Sequence, residues 1–441
     1  MTAVLSNSLD PSPPRRPTLA RAIAFRFGFT YWILFCLPIA ASQISGFDWI
    51  GDRMTDPVQG AISVWVGEHI LGISYPIATG VSGSGDKTAD WVWLFTIACV
   101  SIVVALGWAM VDRRRAHDAR LRELLRVIMR YTVAYVLFGY GISKLFTLGQ
   151  FPPPSPARLT QSYGDSSPMG LLWTFMGASR AYTAFSGAGE VVGAALLLFR
   201  RTTLLGALVL GAVLLNVVLL NFCYDVPVKI NSSHYLAICV YLVLPSLGRL
   251  ANVVVLNRAT QPVVDRGPLP RRWMRIVRVI LRVGVTAVVL WSGISLRASR
   301  VDDATTWYGG HWSVSSFARD GHDAPAVLTD KTRWRRLRFQ LLPDKIWVRW
   351  RFMDEGLGDL YSVVIDENGR TMTLTPAPDS KPEHPTGRVV LHYTRVDDKH
   401  LRLEGRVGTE NLAVEVERYQ VDKALLMNRG FHWINETPFN R

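Results

Sequence analysis

Seven long apolar runs, separated by polar stretches, dominate the first 300 residues of the chain. They cover residues 27–45, 92–111, 127–146, 183–199, 203–223, 234–250 and 279–296. A helix needs about 20 apolar residues to cross the hydrocarbon core of a bilayer. The pattern therefore predicts a mainly α integral membrane helix bundle of about seven transmembrane helices, of which 183–199 is the shortest.

The pattern changes after residue 298, where apolar and polar residues alternate in short stretches. Turn sequences such as DENG, VDDKH and GTEN separate them. Short alternating stretches at this spacing are typical of antiparallel barrels and sandwiches. The stretches are RLRFQLL, KIWVRWRF, LYSVVID, TMTLTP, VVLHYT, LRLEGRV and LAVEVERY. We therefore expect a C-terminal antiparallel β barrel or sandwich over 299–441.

The remaining chain divides according to the same pattern. We expect a disordered cytosolic tail over 1–22, two membrane helices with a long outer loop over 23–112, a four-helix membrane bundle over 113–256, and a basic linker with a final membrane helix over 257–298. In the outer loop, PVQGAISVWVGEHILGISYP predicts a helix lying at the membrane interface. The glycine-rich TGVSGSGDKTADW that follows lacks the spacing of a phosphate loop and indicates a flexible connector.

Charge sets the predicted orientation. The formal net charge is +14, and the arginines crowd 112–126, the turn at 200–201 and 249–278, whereas the alternate loops contain few. Because positive loops stay in the cytosol, the N-terminus is expected in the cytosol and the β domain outside, in a bacterial plasma (inner) membrane. Since the arginines flank the predicted spans, we expect contacts with membrane lipid and no nucleic-acid partner.

One acidic residue stands alone in an apolar run. Glu190 lies in FSGAGEVVGAALLLF, and Lys144 lies near the end of the preceding run. Charges within membrane segments usually pair and face the bundle interior. The helical rise places the two at similar depth, and the motif Gly189-x-x-x-Gly193 allows close helix contact. The sequence therefore predicts a Lys144–Glu190 pair.

Further polar residues follow on the same predicted side of the membrane. Asn221, Asp225, Lys229 and His234 cluster around FCYDVPVKINSSHYL. With Lys144 and Glu190 they predict an outward-facing polar pocket, in which Glu190, Lys144 and Asp225 would carry catalysis and Lys229, His234 and Asn221 would bind a cofactor. An alternative is purely architectural, with the charges only joining helices and closing a loop.

The residue types restrict the chemistry of this pocket. The cysteines are four in number, without CxxC spacing, and HExxH and GxSxG are absent from the sequence. We therefore expect no metal site and no disulfide framework. A quinone headgroup needs only hydrogen-bond partners and a group that exchanges protons, and Lys, Glu, Asp and His can supply these. A quinone or another lipophilic small molecule is therefore the expected ligand.

The segment 126–250 resembles the DoxX family of four-helix bacterial membrane proteins. The similarity is carried by RYTVAYVLFGYGISKLF and FSGAGEVVGAALLLFRRTTLLGALVL. Lys144 and Glu190 match the family's lysine late in its first helix and glutamate early in its second. The resemblance implies a redox role linked to quinol oxidation. The β domain is similar to a lipocalin-type barrel in its length and in the spacing of its strands, an analogy of fold alone.

Three functions stay open from the sequence. The first is a quinol-linked oxidoreductase component. The second is a transporter or lipophile-handling protein, in which the β domain would receive an apolar molecule. The third is a membrane scaffold, whose outer β domain would bind a protein partner. The absence of a cofactor motif weakens the first function, and the absence of an obvious internal repeat weakens the second.

Overall fold

The computed structural model describes residues 18–41, 56–80, 82–112, 118–146, 150–261, 306–341, 345–377 and 387–429, with positions 279, 283–284, 286–287 and 432. Its helices are α1 (Leu19–Ala41), α2 (Asp56–His69), α3 (Thr88–Val111), α4 (Asp118–Leu145), α5 (Pro156–Leu159), α6 (Pro168–Ala178), α7 (Arg180–Leu197), α8 (Thr203–Cys223), α9 (Lys229–Val243), α10 (Leu247–Leu250) and α11 (Leu425–Asn428). The chain forms two compact units, with residues 151–180 assigned to the unit of the β domain.

A large cluster of buried apolar side chains lies in the helical unit. Helices α1, α4, α7, α8 and α9 all contribute buried side chains to it, including Cys36, Met129, Leu197, Leu210 and Ile238. The four helices predicted as a bundle therefore do pack together, and α1 packs on them. Burial of these apolar side chains between the helices removes them from lipid and holds α4 against α7, where the candidate site lies.

Four helical stretches are long and apolar enough to cross a membrane. They are Leu19–Ile39, Thr88–Val111, Arg200–Cys223 and Lys229–Val255. The predicted number of seven is not supported. The predicted spans 127–146 and 183–199 do form helices, α4 and α7, but their charged residues reduce their apolar character. The predicted span 279–296 lies almost entirely outside the described residues.

The first span begins earlier than the apolar pattern predicts. Helix α1 begins at Leu19 and includes Arg26, whose side chain is 1% exposed. Its guanidinium donates to the backbone oxygens of Trp108 and Asp112 and lies 3.0 Å from the Asp112 carboxylate. The Trp108 carbonyl already accepts from the Asp112 amide, so Arg26 adds a second donor to it and pairs with the Asp112 carboxylate at the end of α3. These contacts explain how an arginine is accommodated inside the helix.

The predicted helix in the outer loop is present as α2. Val58, Ile62 and Trp65 are exposed at helical spacing, whereas Ser63 and Val66 are buried. An exposed apolar stripe of this kind suits the membrane interface. The interfacial position of α2 itself stays a prediction. The neighbouring connector is not merely a linker, because Asp86 in it bonds to the start of α9.

The C-terminal unit contains a closed antiparallel barrel. Its strands are β1 (Gly310–Arg319), β2 (His322–Asp323), β3 (Trp334–Leu341), β4 (Ile346–Phe352), β5 (Leu357–Asp366), β6 (Thr371–Pro376), β7 (Val389–Arg395), β8 (His400–Val407) and β9 (Glu410–Arg418). Each main strand pairs with the next, and β9 returns to β1, with the short β2 attached to the end of β1. Because β1 pairs with β9, the sheet is closed. Of the two predicted alternatives, the domain is therefore a barrel of eight main strands and not a sandwich.

All seven predicted strand segments correspond to strands, β3 to β9. Strand β1 escaped prediction because its register shifts between Val314 and Ser316. The bulge places Trp312 and Phe317 on the same inner face although they are five positions apart, which breaks the period of two. The barrel interior is filled with side chains, among them Trp312, Phe339 and Tyr361, each at most 2% exposed.

Candidate functional site

The predicted pair of buried charges is present. Lys144 lies in the last turn of α4, and Glu190 lies in the middle of α7. The distance from Lys144 Nζ to Glu190 Oε1 is 2.5 Å, and the two side chains are 5% and 2% exposed. Each charge therefore has its counterion inside the protein, as expected for charged groups within a membrane bundle.

Glycines let the two helices meet at this pair. A Cβ atom on Gly187 would lie 2.7 Å from the Gly141 oxygen and 2.8 Å from Lys144 Cβ. A Cβ atom on Gly141 would be equally close to Gly187 and to Val191. No larger residue fits at either position without displacing backbone, so the short ion pair depends on this crossing.

The predicted glycine motif has a different role from the one expected. Gly193 faces Leu210 of α8, and its Cβ would lie 2.6 Å from Leu210 Cγ. A Cβ on Gly189 would meet only Val213, at an ordinary 3.4 Å. The motif therefore helps α7 to pack on α8, whereas the contact with α4 uses Gly187.

One oxygen of the site is left without a partner. Glu190 Oε2 is buried and accepts no hydrogen bond from the residues that the structure describes. A buried polar atom without a partner costs about 1–3 kcal/mol, and more when it is charged. Glu190 therefore has a free acceptor position for a hydroxyl or amide donor from a ligand.

Asp225 and Lys229 form a separate cluster at the turn between α8 and α9. Lys229 Nζ lies 2.8 Å from Asp225 and 3.8 Å from Asp86, and Asp225 is 83% exposed. The Asp86 carboxylate accepts from the backbone amides of Lys229 and Ile230, at 2.8 and 3.0 Å. Asp86 therefore caps the start of α9, and the Asp225–Lys229 ion pair lies across the turn that leads into it.

His234 is held by aromatic residues of α1. Its Nε2 lies 2.7 Å from the Tyr31 hydroxyl, and its ring stacks on Phe35 with the centroids 4.3 Å apart. Its Nδ1 lies 2.7 Å from the Ile230 backbone oxygen. Because a carbonyl can only accept, Nδ1 carries a proton, and in a neutral ring Nε2 accepts from Tyr31.

Asn221 joins helices α8 and α9. Its side-chain nitrogen donates to Ser232 Oγ over 2.9 Å, and both residues are buried. The six predicted residues therefore divide among four groups: the ion pair, the charged turn, the His234 cluster and the Asn221–Ser232 bond. Contacts within the chain occupy Asn221, Lys229 and His234, and an outward-facing pocket lined by all six residues stays a prediction.

The described residues contain no cluster of His, Cys, Asp or Glu suited to a metal ion. The four cysteines are unpaired, with Cys36 and Cys239 buried and Cys99 and Cys223 exposed. Sequence reasoning missed Asp86 and Tyr31, which contact residues far along the chain. For Asp86, the available indication was its charge within the predicted connector. For Tyr31, the sequence offered no indication.

Comparison with known proteins gives one informative relative. No family model matches the chain, and no solved structure matches it. The chain is 34% identical over 127 residues to the uncharacterized protein YwoB of Bacillus subtilis (strain 168). The match spans 28% of this chain and 80% of YwoB. The chain therefore belongs to the same protein family as YwoB.

Proposed function

We propose that this protein is a DoxX-like membrane component that binds a quinol at the Lys144–Glu190 pair and takes part in quinol-linked oxidation. The observation that carries the proposal is the buried Glu190 Oε2, which accepts no hydrogen bond from the described residues. A quinol hydroxyl is a donor that matches this acceptor, and its apolar ring and tail suit the surrounding helices.

The two charged residues would have different roles. Lys144 holds Oε1 of Glu190 at 2.5 Å and favours the ionised carboxylate through its opposite charge. Oε2 would then accept the quinol hydroxyl and take its proton as the quinol is oxidised. The second hydroxyl proton would pass to solvent and the two electrons to a separate protein that carries an electron-accepting cofactor, so that this chain binds the quinol and accepts one proton.

The ion pair would lie within a bacterial inner membrane. Helices α4 and α7 would cross the bilayer with the other spans, although each carries charges, because Lys144 and Glu190 face each other and not lipid. The positive loops favour a cytosolic N-terminus and an extracytoplasmic β domain. The filled interior of the barrel weighs against the alternative in which this domain receives a lipophilic molecule.

A binding titration tests the proposal. Purified full-length protein in detergent is titrated with a short-chain ubiquinol kept reduced under an oxygen-free atmosphere, and quenching of tryptophan fluorescence is recorded. We expect saturable quenching that Glu190→Gln weakens at least tenfold, since the amide lowers the acceptor strength and cannot take the proton. Asp225→Asn is the matched control, because Asp225 is an exposed carboxylate of the separate turn cluster.

Two outcomes would contradict the proposal. Quenching that never saturates would show that the protein has no specific site for quinol. Saturable quenching that Glu190→Gln and Asp225→Asn leave equally unchanged would place the ligand elsewhere and favour the architectural role of the ion pair. Circular dichroism of each variant shows whether the helices are intact, so that loss of binding is distinguished from loss of fold.

A further inference from the structure

Four arginines face one another on the outside of the barrel. Strand register places Arg336 directly opposite Arg351 and Arg338 directly opposite Arg349. Residues directly opposite in antiparallel strands have Cβ atoms about 4.5–5.5 Å apart, and like charges there are destabilising. We call these four residues the arginine patch.

The acidic residues nearby do not balance this charge. Glu355 lies 3.6 Å from Arg336 and 3.3 Å from Arg351, and it also pairs with Arg335. Arg338 and Arg349 make no ion pair with the residues that the structure describes, and Arg349 Nε is buried without a partner there. One carboxylate thus serves three arginines, while Arg338 and Arg349 have no counterion in the described part of the chain.

Apolar side chains lie beside the arginine patch on the same outer face. Trp347 lies opposite Gln340 and Ser362, and Leu360 lies opposite Arg349. Both side chains point away from the barrel core and are partly exposed. Arginine next to tryptophan and leucine is the composition of protein surfaces at the membrane interface, where the ring lies among headgroups and the guanidinium meets phosphate.

We propose that the arginine patch docks the barrel on anionic phospholipid headgroups, with the guanidinium groups of Arg338 and Arg349 binding lipid phosphate. Guanidinium groups bind phosphate through paired hydrogen bonds, and a phosphate between the two arginines relieves their repulsion. Lipid is the source that we infer, because the barrel is covalently joined to a chain with four helices suited to cross a membrane. The proposal does not depend on quinol binding.

The test uses full-length protein in maltoside micelles and a photoactivatable phosphatidylglycerol. Cross-links to peptides of β3 and β4 are quantified by mass spectrometry against lipid concentration. Each arginine near an anionic surface contributes about fivefold in affinity, so Arg338→Gln with Arg349→Gln should raise the half-saturating concentration about 25-fold. Arg402→Gln with Arg406→Gln, on the exposed outer face of β8, makes the same change in charge and should leave it unchanged.

Competition identifies the source of the phosphate. Unlabelled phosphatidylglycerol should displace the probe from β3 and β4, whereas phosphatidylcholine and inorganic phosphate should not. Displacement by inorganic phosphate at equal concentration would overturn the proposal in favour of a site for a free anion. Equal loss in both double variants would also overturn it, since that result reflects net charge alone. Circular dichroism confirms folding, and loss of repulsion predicts a patch variant at least as stable as the parent.

Discussion

Removing one member of the buried ion pair should destabilise the helical unit strongly. At 2.5 Å between Lys144 Nζ and Glu190 Oε1, the attraction is about 7 kcal/mol at an effective dielectric constant of about 20. Burial costs several kcal/mol for each ion, so the intact pair contributes little net stability. Lys144→Met removes the attraction but leaves a buried carboxylate, and we expect a loss of about 3–5 kcal/mol.

The double variant separates the pair from its surroundings. Glu190→Gln alone leaves the Lys144 ammonium without a counterion, whereas Lys144→Met with Glu190→Gln leaves no buried charge. The double variant should therefore be more stable than the sum of the single losses predicts, by at least about 2 kcal/mol. Unfolding of the purified full-length protein by sodium dodecyl sulfate, followed by circular dichroism, measures all four free energies.

Additive losses would refute this reasoning. If the double variant loses the sum of the single losses to within about 0.5 kcal/mol, the two charges do not interact energetically. A Lys144→Met loss below about 1 kcal/mol would show that the carboxylate is solvated or neutral in the bundle. Additive losses are not compatible with two charges 2.5 Å apart whose side chains are 5% and 2% exposed.

Two further predictions concern the helix crossing and the barrel. Gly187→Ala should cost about 1–3 kcal/mol, because its Cβ meets backbone at 2.7 Å, whereas Gly189→Ala should be nearly neutral in the same detergent unfolding assay; equal losses would contradict the crossing. Burial, with Arg338 and Arg336, lowers the pKa of His311 from 6.5 to about 4. His311 therefore binds its proton more tightly in the unfolded state than in the folded state. The free energy of unfolding of the barrel should fall by about 2–3 kcal/mol as the pH falls from 6.5 to about 4. Thermal unfolding across this range should show the loss, and His311→Gln should flatten it; an unchanged slope would contradict the assignment.

Local pattern was enough to predict the strands and the ion pair. The predicted segments of β3 to β9 mostly alternate between apolar and polar residues, although β3 and β4 have register shifts at Trp334/Arg336 and Arg349/Arg351. The turns between the strands contain residues suited to reversal. Lys144 and Glu190 stood out because each is isolated among apolar residues, so each needed a partner nearby in the bundle. In both cases the prediction needs only the residues within one helical turn or one strand of the position concerned.

Contacts between distant segments could not be predicted in this way. Asp86 caps α9 from 143 positions away, and Tyr31 bonds to His234 across 203 positions. The six polar residues were expected in one pocket because they share a predicted depth in the membrane. Depth does not determine which way a helix faces, and packing turned Asn221 and His234 toward other helices. The bulge in β1 likewise depends on its pairing with β9.

Closure of the barrel also fixes where the chain joins it. Trp312, near the start of β1, lies opposite Arg418 at the end of β9, and the Tyr419 amide donates to the His311 oxygen over 2.9 Å. Entry and exit thus share one rim, about one strand spacing apart. A short linker between these points, with new termini in the turn after β5, would give a circular permutant with the same ladder of strands. Because its two ends lie side by side, the barrel has the geometry needed for insertion into a loop of a host protein, with both connections at neighbouring positions.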